Sequence, residues 1–257
     1  VHPSASCVAV IPCWNEADTI GPLVREVRAQ VPAVIVVDDG SRDATAGLAR
    51  EAGAAIAQHA VNRGKGAALQ TGLAMARARG FAWAVTLDGD GQHRPADIAA
   101  FLARAAVTAA DLVVGNRMAD SAQMPWSRRA ANRWMSRQLS RRAGRSLPDS
   151  QCGFRLFRLE AWAALRITSE HFEVESETIL AFALAGRRIE FVPVPVVASP
   201  RPSRIQPVLD TLRWLRWWRR WAGRDPRERW VEEGLAPIRS ETGTTPVPQP
   251  TRAAHAA

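Results

Sequence analysis

The stretch WAVTLDGDGQH, residues 83–93, is a short apolar run that ends in Asp88-Gly89-Asp90-Gly91-Gln92-His93. Such a run, bounded by glycines and acids, reads as a buried strand, Trp83–Leu87, that delivers polar residues to one edge of a sheet. One glycine separates the two acids. A turn there brings both carboxylates toward one point, and Gly89 and Gly91 allow close backbone approach. Converging carboxylates at a strand end suit Mg²⁺ or Mn²⁺, hard cations that keep positions open for diphosphate oxygens. An Asx-type turn would use the same residues, so the spacing takes its meaning from its surroundings.

Outward from this stretch, short β-branched runs alternate with longer Ala-rich helical patterns, the signature of βαβ units and a mainly parallel sheet. Strands are expected at Cys7–Ile11, Ala33–Val37, Ala55–His59, Leu112–Val114, Ile189–Val192 and Val194–Ala198. Helices are expected at Thr19–Gln30, Asp43–Glu51, Gly66–Arg79, Ala96–Ala106, Ser127–Ala143, Val174–Ala185 and Gln206–Ala222. In an open α/β sheet the ligand sits outside the carboxyl ends of the strands. The residues there are polar: Pro12-Cys13-Trp14-Asn15-Glu16, Asp38-Asp39-Gly40-Ser41 and Gly115-Asn116-Arg117.

Each loop has a chemical reading beside a structural one. Asp38 and Asp39 can accept from a base N–H or ribose hydroxyls, although Gly, Ser and Asp43 also suit a turn and a helix cap. Asn62-Arg63-Gly64-Lys65-Gly66 opens a helix with glycines and a cation, which suits an anion at a helix N-terminus. It lacks the Walker A spacing, so ATP hydrolysis is not supported. His93 packs or caps as readily as it ligates. Glu173, Glu175 and Glu177 suit either a solvated helix start or a partner for an acceptor-loop arginine.

VIPCWNE, VVDDGSRD, NRGKGAALQTG, LDGDGQH, GNR and DSQCGFRLF occur in the order seen in family 2 glycosyltransferases, over about residues 6–200. The set most resembles the dolichyl- and polyprenyl-phosphate sugar synthases. That resemblance implies the GT-A fold, a UDP- or GDP-sugar donor, a polyprenyl-phosphate acceptor and one inverting displacement at the anomeric carbon. It implies that Pro12, Asn15, Glu16, Asp38 and Asp39 line the nucleotide pocket, Asp39 nearer the base. Asp88, Asp90 and Gln92 then surround the Mg²⁺ or Mn²⁺, Arg117 faces the diphosphate or the acceptor, and Gln151 and Arg155 lie on the acceptor side. Arg201 or Arg204 resembles a late basic clamp on phosphates. Asp149 is the acid nearest the acceptor segment, where a hydroxyl acceptor would need a general base and a phosphate would not.

The charge is divided. Residues 1–120 hold 11 cations and 12 anions, a net of −1, while residues 121–257 hold 23 and 13, a net of +10. A basic rear suits an anionic surface, here membrane phosphate. Arg129, Arg133, Arg137 and Arg141 recur at spacing four, where like charges destabilise a helix unless an anion meets them. Arg213, Arg216, Arg219 and Arg220 share one sector of a helix and Trp214, Trp217, Trp218 and Trp221 another. This suits a helix at a membrane interface, or one packed on the catalytic domain. Nucleic-acid binding is disfavoured, because the acidic loops would repel phosphate without a metal.

No stretch approaches the ~20 apolar residues of a membrane span, and Val1-His2-Pro3-Ser4 resembles no signal peptide. The expectation is a cytoplasmic protein, peripheral on the inner face of the plasma membrane. Cys7, Cys13 and Cys152 match no paired metal spacing and read as reduced, buried thiols. Residues 1–205 are expected to form one catalytic domain, 206–235 an amphipathic Trp/Arg-rich helical segment and 236–257 a disordered tail.

Overall fold

Seven strands form one sheet: β1 (Cys7–Cys13), β2 (Ala33–Asp38), β3 (Ala55–Gln58), β4 (Trp83–Thr86), β5 (Leu112–Asn116), β6 (Arg155–Arg158) and β7 (Ile189–Pro193). The computed structural model describes residues 3–197 and 207–222. Arg201, Arg204 and the expected tail lie outside the described residues. The strand order is β3-β2-β1-β4-β6-β5-β7. β6 is antiparallel to both its neighbours, β4 and β5, and every other pairing is parallel.

The helices are α1 (Ala17–Arg28), α2 (Thr45–Glu51), α3 (Lys65–Ala78), α4 (Ile98–Thr108), α5 (Trp126–Ala143), α6 (Leu159–Ala163), α7 (Val174–Leu184) and α8 (Pro207–Ala222). β1, CVAVIPC, is buried along its whole length. A central strand covered on both faces reads as a continuous apolar run, because neither face meets water. α3 lies close on this sheet at Gly72, where a Cβ would stand 2.3 Å from Val10 Cγ1. The three cysteines are buried thiols, and burial pushes Cys7 up to about 12.

Two strand expectations differ from the structure. β6 was not anticipated: RLFR is four residues with a cation at each end, too short and too charged to read as an interior strand. Val194–Val197 carries no strand, although Val194 N still donates to Asn116 O (3.2 Å). Pro193 and Pro195 flank it, and proline cannot supply the ladder's N–H groups.

Candidate functional site

The polar loops meet at one edge because β1, β2 and β4 run parallel in near register, with Cys13 beside Asp38 and Val10 beside Thr86. Asn15, held at a positive φ of 52°, joins the first two loops: its N–H donates to Ser41 Oγ (2.8 Å), and its Oδ1 accepts from Arg42 N (2.8 Å). Glu16 N donates to Thr45 Oγ1 (2.8 Å), and Thr19 Oγ1 donates to Gly89 O (2.8 Å), tying α1 to the Asp88–Asp90 loop. Pro12 is buried at the end of β1.

Asp38 and Asp39 are both buried and both hold neighbouring backbone. Asp38 accepts from Ser41 N (3.0 Å) and Gln58 Nε2 (3.0 Å). Asp39 accepts from Arg63 N (3.0 Å) and Gly64 N (2.8 Å) and pairs with His59 Nδ1 (2.6 Å). Asp39 is thus the post to which the Asn62–Gly66 loop is fastened.

Lys65 reaches across the site. Its Nζ stands 2.6 Å from Asp88 Oδ1 and 2.6 Å from Glu175 Oε1. Burial alone would lower the ammonium, but the two carboxylates outweigh it and hold the group above its ordinary value. Burial would likewise raise Asp88, and Lys65 with His93 outweighs that, holding Asp88 below the usual carboxylate range. Asp90 goes the other way, raised by burial and then by the Asp88 charge. Gln92 contributes its backbone N–H to Asp90 Oδ1 (3.0 Å). His93 Nε2 is buried 3.4 Å from Asp88 Oδ2 and has no hydrogen-bond partner.

These residues fit a divalent cation only in partnership with a ligand. Among the described residues no group of three or more His, Cys, Asp or Glu is gathered to hold an ion alone. Two adjacent carboxylates, one of them destabilised as an anion by the other, suit a hard cation whose remaining positions go to diphosphate oxygens. Gly153 lies against the same centre. A Cβ there would sit 2.8 Å from Lys65 Nζ and 3.0 Å from both Asp88 carboxylate oxygens, so a side chain would have to displace the Lys65–Asp88 pair.

Arg117 and Asp149 form the second half of the site. Arg117 Nε and N donate to Asp149 Oδ2 (2.9 and 3.0 Å), and Nη2 donates to Oδ1 (3.0 Å). Asn132 Nδ2 (2.8 Å) and Gln151 N (3.1 Å) also donate to Asp149 Oδ1. Asp149 is 0% exposed and Arg117 9%. Burial would raise the carboxyl of Asp149, and Arg117 outweighs it, holding the group below its ordinary value. Asp149 is therefore an anion locked beneath Arg117. Arg155, expected toward the acceptor, is 2% exposed, and its guanidinium donates to the carbonyls of Cys152, Glu175 and Ser150 (2.8–2.9 Å). That laces the DSQCGFR segment to α7. Gln151 Nε2 donates to Ser150 Oγ (2.7 Å) and Ser176 Oγ (2.8 Å).

Two more charged residues bear on this centre: Arg128, which the sequence did not single out, and Glu175, which it did. Arg128 on α5 is lowered first by burial and next by the Arg117 charge, while the Asp88, Asp90 and Asp149 charges oppose. Glu175 was one of three alternating acids, and it proves buried with Glu177 instead of solvated. Glu177 accepts from Ser169 N (2.6 Å), Thr168 N (3.1 Å) and Thr168 Oγ1 (3.0 Å), fixing the loop that abuts Gly64 and Gly66. The signal for Arg128 was its spacing from Asn132 and Ser136, small polar residues one turn apart on the buried face of α5.

Two of the α8 tryptophans, Trp214 and Trp217, face inward. Trp214 and Trp217 are buried, Trp214 meets Trp134 of α5 edge-on (5.2 Å) and its Nε1 donates to Ser176 Oγ (2.9 Å). The buried part of the indole face thus packs on the catalytic domain, the second of the two readings that the segregated sectors allow. No described helix is long and apolar enough to cross a membrane.

The glycosyl transferase family 2 profile matches residues 8–165. Glycosyltransferase AglJ of Haloferax volcanii is 32% identical over 214 residues, 82% of this chain and 68% of that protein. The undecaprenyl-phosphate mannosyltransferase of Micrococcus luteus is 30% identical over 74% of this chain and 83% of its own length. Among solved structures, glucosyl-3-phosphoglycerate synthase of Mycobacterium tuberculosis with phosphoglyceric acid superposes at a TM-score of 0.62 and 21% identity, covering 80% of this chain and 74% of that one. The same enzyme has been crystallised with Mg²⁺ or Mn²⁺ and UDP. The likeness shows that the sheet described above is the GT-A arrangement.

Proposed function

We propose, on the premise that this chain belongs to glycosyl transferase family 2 and is a glycosyltransferase, that it moves a sugar from a nucleotide-sugar donor to a polyprenyl phosphate. The observation that carries the choice of acceptor is the buried Arg117–Asp149 pair. A phosphate acceptor is already an anion and needs cations to meet it. A hydroxyl needs a base within reach, and Asp149, fully buried and accepting five hydrogen bonds, is spent on orienting Arg117. The names of several relatives point the same way, among them the polyprenol monophosphomannose synthase of Mycolicibacterium smegmatis, 31% identical over 62% of this chain.

In this reading Asp88 and Asp90 would hold Mg²⁺ or Mn²⁺, which supplies positive charge to the diphosphate as it leaves. Asp39 and Asn15 keep the nucleotide loops in place. Arg117 and Arg128 draw the acceptor phosphate beside the donor, where its oxygen bonds to the anomeric carbon as the carbon–oxygen bond to the nucleoside diphosphate breaks. The configuration inverts, and no proton is transferred. Lys65 keeps Asp88 ionised until the donor complex arrives.

A second reading, transfer to the hydroxyl of a small phosphate-bearing acceptor, is favoured by the solved relative crystallised with phosphoglyceric acid. A panel of UDP-, GDP- and dTDP-sugars with Mg²⁺ or Mn²⁺, each offered polyprenyl phosphate or phosphoglyceric acid, separates the two. Sugar label passing into the organic phase only with polyprenyl phosphate supports the first reading. Transfer to phosphoglyceric acid alone overturns it.

A lipid acceptor requires contact with a bilayer, and α5 offers the face. Trp126, Arg133, Trp134, Arg137 and Arg141 are all exposed and fall within about 100° of the helix at ~100° per residue. Trp126 is 77% exposed. Indoles at headgroup depth beside guanidiniums on phosphates bind an anionic surface peripherally. Sedimentation with anionic vesicles should weaken with salt and fall about tenfold in a Trp126→Ala, Arg133→Ala, Arg137→Ala variant. Undiminished sedimentation of that variant would remove α5 as the contact.

A further inference from the structure

α8 is joined to the acceptor half by an unbroken hydrogen-bond path, buried except at the half-buried Gln151. Trp214 Nε1 donates to Ser176 Oγ (2.9 Å), and Gln151 Nε2 donates to the same oxygen (2.8 Å). Gln151 Nε2 also donates to Ser150 Oγ (2.7 Å), which is bonded to Ser136 Oγ (3.0 Å). Ser136 Oγ donates to Asn132 Oδ1 (3.0 Å), and Asn132 Nδ2 donates to Asp149 Oδ1 (2.8 Å), the carboxylate that grips Arg117. Ser136, Ser150, Ser176, Asn132 and Asp149 are all buried.

The relay draws on three separate parts of the chain: α5, the Asp149–Gln151 loop and the start of α7. Each of its hydroxyls and amides is shared, so their orientations are set jointly, and in a low-dielectric interior such chains act as a unit. The Trp214 indole N–H is the end at which α8 enters. Were α8 only apolar cover, any large ring would serve at position 214. The N–H matters because Ser176 Oγ then receives two donors and Gln151 cannot swing away without leaving the relay short.

We infer that Trp214 is a positioning residue of the acceptor half, acting through Ser176 and Gln151 on the Asp149–Arg117 pair, so that docking of α8 completes the acceptor side and leaves the nucleotide side untouched. The inference rests on the reading of Arg117 as facing the acceptor.

Trp214→Phe keeps a ring and removes the N–H; Ser176→Ala removes the shared oxygen. Amide hydrogen exchange of the full chain should rise about tenfold in residues 147–155 in both variants and stay at the wild-type rate in residues 36–42 and 62–66. With polyprenyl phosphate as the probe, the acceptor KM should rise about three- to tenfold, the worth of one hydrogen bond, while the affinity for the nucleotide donor is unchanged. The double variant should be no worse than either single one, because both cut the same path. Unaltered exchange in residues 147–155 in both variants would overturn the inference, as would an equal loss of donor affinity. A wild-type protein that ignores polyprenyl phosphate would sink the proposed acceptor, and the exchange measurement would still decide the relay.

Discussion

The nucleotide half and the acceptor half of this site are held together by different means. Around Asn15, Asp38 and Asp39, side chains hold backbone: carboxylates and an amide accept from the N–H groups of the next loop, each within about 30 residues in the chain. Around Arg117, side chains hold side chains, with Asn132, Asp149, Gln151 and Ser176 drawn from three places in the fold. The first design fixes where a rigid ligand lies. The second fixes the direction of one buried cation, and it can be retuned by a single substitution anywhere along the network.

The largest effect should come where the halves meet. If Asp90 helps to hold the ion as proposed, Asp90→Asn removes a charge from that site and turnover should fall by more than about three orders of magnitude. Donor binding should weaken only when Mg²⁺ or Mn²⁺ is present, as titration with and without the ion would show. Equal donor affinity of the wild type in both conditions would end the metal assignment.

Gly153→Ala should come next. It pushes a methyl group against Lys65 and Asp88, and a loss of roughly 10²-fold in kcat with the melting temperature little changed would show that turnover needs the Lys65–Asp88 pair in place. Full activity would mean that Lys65 does not hold Asp88 during turnover.

Asp149→Asn tests the acceptor half alone. Breaking a buried pair costs about 3–5 kcal/mol, so the melting temperature should drop while substantial turnover of polyprenyl phosphate survives. Since Asp149 is depressed in the fold, its stabilisation is present above its unfolded pKa and lost as pH falls through the folded one. The variant should lack that limb of acid unfolding. A loss beyond about three orders of magnitude with the fold intact would favour a hydroxyl acceptor.

Asp39→Ala should give the mildest result, about tenfold weaker donor binding whether or not metal is added, because it frees the Asn62–Gly66 loop from its anchor. Dependence of that effect on the ion would place Asp39 with the metal residues.

The nucleotide half was legible in the sequence for the same reason that it is simple. Its motifs are contiguous runs at strand ends, and parallel register brings them to one edge without further information. The acceptor half was read in part. Arg117, Asp149 and Gln151 stood out, but the period-four arginines of α5 drew attention to its solvent face, while the working face was marked only by Arg128, Asn132 and Ser136. Segregated tryptophans on α8 look the same whether they meet lipid or protein, and only Trp134 and Ser176, far away in sequence, decide between them. β6 was hidden because the buried guanidinium of Arg155, which argues against a place in a short strand, is satisfied by backbone carbonyls that no local pattern foretells.

The reversed strand also sets an order on how the molecule is made. β1 to β4 pair among themselves by residue 86, but β5 and β7 reach the rest of the sheet only through β6, whose Arg155 lies 69 residues beyond its partner Thr86. Closing so long a loop costs entropy before the pairing returns any of it, and such contacts form late. Until residue 158 has left the ribosome, β4 is an exposed hydrophobic edge, open to any other strand that passes. The half that carries the first two acidic strand-end loops is therefore made with an open edge, and the segment that brings Arg155 is also the one that closes it.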